Sequence, residues 1–151
     1  MAAHVTGSCS LARAQADQIA AWIEDVTTRT PGLKYAALPA VQLERDEISG
    51  RVIGRKFSCA GFVLAAYEEA AGIVLLVPEA SLPEVNKEIV IATWMPALPD
   101  EVQTRIFRNI GLEGPGPWRL LLPGYLFHAL KQWTGFGTAP YQPKPEDSEF
   151  A

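Results

Sequence analysis

The stretch from Ser58 to Gly72 constrains this chain more than any other. It holds cysteine, phenylalanine, valine, leucine, tyrosine and several alanines, and its only charged side chains are Glu68 and Glu69. Cys59, Phe62, Val63, Ala66, Tyr67 and Ala70 recur at helical spacing on one face, and Gly72 is the residue type that ends a helix in the left-handed conformation. A helix this apolar belongs at the centre of a domain, covered by other elements. At 151 residues the chain is long enough for one such domain and its core.

The flanking pattern supplies the covering elements. Ile19, Trp22, Ile23 and Val26 predict an amphipathic helix from Ser10 to Thr28, with Ser10 as its cap and Thr30-Pro31-Gly32 as its stop. Lys34-Tyr35 follows, then a long connection through Pro39 and the acidic, solvated Glu44 to Glu47, and a short strand at Arg51-Val52-Ile53. Ser81-Leu82-Pro83-Glu84 and Leu98-Pro99-Asp100-Glu101 read as helix starts, with proline in the first turn and acids at the positive helix end. Val102, Ile106 and Ile110 carry the second of these on as a stripe, Trp118 to Leu122 reads as a strand, and Pro123 to Gln132 as a last short helix. The expectation is a single α+β domain over residues 1–137 with a helix-rich C-terminal half. A proline-rich acidic tail, extended or frayed, follows over 138–151.

Charge narrows the partners. Thirteen basic and seventeen acidic side chains leave a net charge of −4, and no cluster of Lys and Arg is present to neutralise phosphates, so nucleic acid is not an expected ligand. No apolar run approaches the roughly 20 residues of a membrane span. Met1 to Ser10 has neither a basic start nor an apolar run, so no secretory signal is read and the expected compartment is the cytoplasm. Cys9 and Cys59 are too few for a disulfide framework. Neither CxxC, HxxxH nor HExxH occurs, and no metal or organic cofactor is expected.

Chemical content concentrates at Phe57-Ser58-Cys59-Ala60-Gly61-Phe62-Val63. A cysteine in the first turn of a helix faces unpaired N–H groups and the positive end of the helix dipole, which favour thiolate over thiol. Gly61 leaves backbone space for a substrate, and Arg55 and Lys56 add positive charge nearby. The plainer reading is that Cys59, lying on the apolar stripe, is a buried packing residue.

This segment, continued by Ala66-Tyr67-Glu68-Glu69-Ala70-Ala71-Gly72-Ile73, resembles the nucleophile helix of NlpC/P60 cysteine peptidases, which have a papain-like fold. The preceding helix and Pro31-Gly32-Leu33-Lys34-Tyr35 are similar to that family's first helix and tyrosine-bearing turn. Together these cover residues 12 to 77. Ser58 stands where the family has an acid and Ala60 where it has a serine. No His-Val-Gly strand follows the cysteine, and Leu122-Pro123-Gly124-Tyr125-Leu126 is similar to the Pro-Gly-Asp-Leu turn with Tyr125 in place of the acid. A permuted branch, similar to YiiX-like and lecithin retinol acyltransferase-like proteins, places its histidine before the cysteine, where this chain has only His4.

The resemblance implies a nucleophile helix packed on a small antiparallel sheet. It also implies a thiol hydrolase or acyltransferase acting on an amide, such as a cell-wall peptide, or on an ester. Cys59 would be the nucleophile, His128 the base if any histidine serves, and Tyr35, Ser58 and Gly61 the substrate-binding wall. The favoured reading of His128 from the residues themselves is a structural one, beside Phe127 and Trp133. The competing expectation is a catalytically degenerate domain serving as a binding or assembly module, with a protein partner or a second copy. A mean hydropathy of +0.07 fits that reading. Trp94, Trp118, Trp133, Phe136 and Tyr141 would then line a cleft or partner surface, or simply pack.

Overall fold

The structure, a computed structural model, describes residues 11–29, 33–37 and 40–148. Helix α1 spans Arg13–Arg29. Its first turn is closed by Gln15, whose Oε1 accepts from the Ala12 N–H at 2.9 Å while the Gln15 N–H donates to the Ala12 carbonyl. The expected Ser10 cap and Thr30-Pro31-Gly32 stop lie outside the described residues. Ile19 and Val26 are buried, whereas Ile23 faces solvent, so the apolar stripe is narrower than its spacing implied.

Three short strands follow: β1 (Lys34–Tyr35), β2 (Val41–Arg45) and β3 (Val52–Phe57), in the order β1-β3-β2. β1 runs parallel to β3 and β2 antiparallel to it, so the sheet is mixed where an antiparallel one was expected. Most of the expected connection from Pro39 to Gly50 is in fact β2 and a hairpin turn. Asp46 builds that turn by accepting from the Ile48 and Ser49 N–H groups and the Ser49 hydroxyl. Glu44, in the segment read as solvated, sits between Lys56 at 3.0 Å and Lys34 at 3.4 Å.

Helix α2 (Cys59–Ala71) forms where the sequence places it. Ser58 caps it, its Oγ accepting from the Gly61 N–H at 2.9 Å. Gly72, at φ +65°, ends it, with N–H bonds from Gly72 to Glu68 and from Ile73 to Tyr67. The buried face is Ala60, Gly61, Ala65 and Ala66, small residues that let neighbouring elements approach closely. Trp22 of α1, Phe57 of β3 and Phe62 of α2 join helices to sheet, their ring centroids 5.4 to 6.4 Å apart. Trp22 also donates its indole N–H to Glu69 at 3.0 Å.

The second half holds a 3-10 turn at Glu79–Ser81, β4 (Glu84–Val85), α3 (Lys87–Trp94), α4 (Asp100–Asn109), β5 (Trp118–Arg119) and α5 (Pro123–Gln132). The helix start expected at Ser81 to Glu84 is instead a turn and a strand, β4, paired antiparallel with β5. Arg119 fixes it by donating to the Leu82 carbonyl and the Glu84 carboxylate, and the apolar Leu82 is buried beneath. The strand expected over Trp118 to Leu122 pairs only at its first two residues, after which Leu120, Leu121 and Leu122 run through the core. That core also contains Val85, Val90, Leu112, Trp133 and Tyr125, the last with no exposed surface.

The tail does not fray within the described residues. The Tyr141 N–H donates to the Leu75 carbonyl at 2.8 Å and the Val77 N–H to the Tyr141 carbonyl at 3.1 Å. A second 3-10 turn, Pro145–Ser148, packs on α5, where Gly124 has no room for a side chain against the Asp147 carbonyl. The architecture is mixed α+β, and none of the described helices is long and apolar enough to cross a membrane.

Candidate functional site

Cys59 is the first residue of α2 and is exposed, which removes the reading of it as a buried packing residue. The capping geometry explains why. Ser58 turns inward to hold the Gly61 N–H and is buried, so the next side chain around the helix is turned outward. The sulfur opens on a cavity of about 380 Å³. Tyr35 and Ala37 line it together with Ile106 of α4, Ile110 just past the end of that helix, Met95, Leu98, Leu120, Leu121 and Pro123.

Among the described residues, only Tyr35, Ser58 and Cys59 bring a hydroxyl or thiol to this lining. The Ser58 hydroxyl is engaged as the cap, which leaves the Cys59 thiol and the Tyr35 phenol facing apolar walls. Burial, and secondarily the charge of Cys59, push the Tyr35 phenol above its usual range, so at neutral pH it is a hydrogen-bond donor and not a base. Arg55 and Lys56 do not lend their charge to the thiol: Arg55 pairs with Glu69 at 2.9 Å and Lys56 with Glu44 at 3.0 Å. The local positive field at Cys59 is that of the helix terminus itself.

Gly61 serves another purpose than substrate access. A methyl group there would run into the Ala40 carbonyl, which accepts from the Ser58 N–H at 3.0 Å, and Gly61 lines a separate groove behind the helix. Among the expected site residues the structure thus gathers Cys59, Tyr35 and Ser58 around one cavity.

His128 is not part of that lining. It is half-buried on α5, stacked on Tyr141 with centroids 6.3 Å apart and set edge-on to Phe127, and its Nε2 is buried with no hydrogen-bond partner. Its charged neighbour is Asp147, which accepts from the Tyr141 hydroxyl at 2.6 Å and the Lys144 N–H at 2.7 Å. Burial works to raise the Asp147 carboxyl, but these bonds, with the charges of His128 and Lys144, hold it below its usual range. The same bond pushes Tyr141 up to about 12. His4 lies outside the described residues. No group of three potential metal ligands occurs among the described residues.

Two features escape a sequence reading. The apolar walls come from Ile106, Ile110 and Leu120–Leu121, whose only signal is an apolar stripe that equally describes core. The Tyr141–Asp147–His128 cluster has no signal, because a carboxylate in a proline-rich acidic tail reads as solvated. Trp118 and Trp133 are buried and Phe136 is exposed, while the Trp94 side chain lies outside the described ones. Comparison with protein-family models, curated proteins and solved structures finds no match to this chain.

Proposed function

We propose that this chain is a papain-like, NlpC/P60-type domain in which Cys59 is the nucleophile of an acyl-transfer or hydrolysis reaction on an ester or amide with an apolar acyl group. One observation carries the reading: an exposed cysteine at the start of α2 opens on an apolar cavity of about 380 Å³. The Cys59 thiolate adds to the carbonyl carbon, and the oxyanion meets the unpaired N–H groups of the first helical turn. The carbon–leaving-group bond then breaks to give a thioester on Cys59, and the departing oxygen or nitrogen takes up a proton. Tyr35, held protonated, is the donor in the cavity suited to supply it. Water or a second acceptor then adds to the thioester carbonyl, its proton returns to Tyr35, and the carbon–sulfur bond breaks to restore the Cys59 thiolate.

Walls that carry neither a cation nor a carboxylate among the described residues suit a hydrocarbon acyl chain better than a charged cell-wall peptide. The test is mass spectrometry of the native protein after incubation with p-nitrophenyl decanoate. An acyl adduct on Cys59, absent from Cys59→Ser, is expected. No Cys59-dependent adduct and no Cys59-dependent release of nitrophenol would overturn the proposal.

A second reading, a degenerate domain that binds without catalysis, draws support from the position of His128, engaged with Tyr141 and Asp147 and away from the lining of the thiol cavity. It predicts that Cys59 is alkylated by iodoacetamide yet turns over no ester.

A further inference from the structure

The first turn of α2 separates two cavities. Cys59 and Ala60 line the thiol cavity, Gly61 lines the other, and Leu121 borders both. The second is a groove of about 780 Å³ between α2 and the segment 73–79, extended as far as Pro78 and reached also by Val41 of the edge strand β2.

Three properties of this groove specify an occupant. The first is an unpaired backbone edge. Tyr141 occupies one edge of the extended segment, bonding the Leu75 carbonyl and the Val77 N–H, which turns the N–H and C=O of Leu76 to the opposite edge. Leu76 is 5% exposed, and neither of these groups meets a backbone or side-chain partner among the described residues. Buried backbone groups of this kind are almost always paired. The second is an apolar floor, supplied by Leu64, Ala65, Leu75 and Leu82.

The third is charge. Glu68, Glu69 and Glu79 are the only ionisable side chains in the described lining. Arg55 neutralises Glu69, Glu79 accepts the Ala40 N–H at 3.1 Å, and neither Glu68 nor Glu79 is ion-paired with a cation among the described residues. An occupant must therefore be extended, so as to pair with Leu76, and must alternate apolar side chains with basic ones. Residues 1–10 of the chain contain neither Lys nor Arg and do not supply that charge.

We propose that the groove between α2 and segment 73–79 is a docking site for an extended, basic segment of a partner protein, which adds as a strand along the Leu76 edge. This is independent of any chemistry at Cys59. The test uses the full chain and two fluorescein-labelled ten-residue peptides, alternating Val-Lys and alternating Val-Glu, followed by fluorescence anisotropy. The Val-Lys peptide binds at least about tenfold tighter, since Glu68 and Glu79 line the groove without a cation partner among the described residues. Glu68→Lys, an exposed position, weakens that binding about fivefold or more. Hydrogen exchange of the Leu76 amide slows when the peptide is bound.

Equal affinity for the two peptides, no binding of either at millimolar concentration, or an unchanged Leu76 exchange rate overturns the proposal. Protection of Leu76 that rises with protein concentration alone, in step with dimerisation by sedimentation, assigns the groove to a second copy and also overturns it.

Discussion

Tyr141 donates its hydroxyl to the Asp147 carboxylate at 2.6 Å, a bond that closes the C-terminal segment on itself where its last turn packs on α5. Asp147 is buried and accepts a second bond from the Lys144 N–H. Its carboxyl is therefore lower in the folded chain than in the unfolded one. A depressed carboxyl contributes stability that is present above its unfolded value and is lost as pH falls through its folded value. Urea midpoints measured from pH 7 down to pH 3 should fall more steeply for the native sequence than for Asp147→Asn, the two curves converging in acid.

Tyr141 makes the opposite prediction at the alkaline end. Its pKa is pushed up to about 12 by the bond to Asp147 first, then by burial and by the negative charges of Asp147 and Glu146. A raised acid contributes stability fully present below its unfolded value, near 10, and lost as pH rises through the folded one, near 12. Absorbance at 295 nm should show one tyrosine ionising near 12 that disappears in Tyr141→Phe.

The start of α2 is a third place to test. Ser58→Ala removes the cap on the Gly61 N–H and should cost about 1 kcal/mol by chemical denaturation. Gly61→Ala forces a methyl group into the Ala40 carbonyl and should cost about 1–3 kcal/mol, as overpacking does elsewhere. If Gly61→Ala were neutral, the close approach of Ala40 to α2 would not be a packing constraint.

The apolar walls of the thiol cavity make a prediction about selectivity. Ile106→Trp adds bulk to a half-buried wall residue. Acylation of Cys59 by p-nitrophenyl decanoate should then slow by about tenfold or more while acylation by p-nitrophenyl acetate changes little, a split of roughly 1.4 kcal/mol in the two barriers. A uniform loss for both esters would place the acyl chain elsewhere.

What the sequence reveals follows from how local each signal is. α2 and α5 form at the residues their patterns mark, because Ser58 and Gly72 punctuate both ends of α2 and Pro123 marks the start of α5. β2 was hidden because Glu44 and Asp46 read as solvated acids, whereas one bridges two lysines and the other builds the hairpin turn. Ser81-Leu82-Pro83-Glu84 carries helix-start residues, but Arg119, distant in sequence, binds Leu82 and Glu84 and makes a strand of the segment. At the site, Cys59 and Tyr35 were legible from a short motif. Which way Cys59 points depended on the cap, and which residues surround His128 depended on a tail whose contacts no local pattern encodes.

Gly124 abuts the Asp147 carbonyl, and the next residue toward the N-terminus, Pro123, lines the thiol cavity. The C-terminal turn is thus a buttress: it bears on the first turn of α5 and so fixes where one wall of the cavity stands. Shortening the chain to residues 1–137 would take away that support, and the shape around Cys59 would register the loss of residues that never touch it. The boundary of the working unit lies beyond the point where composition turns proline-rich and acidic.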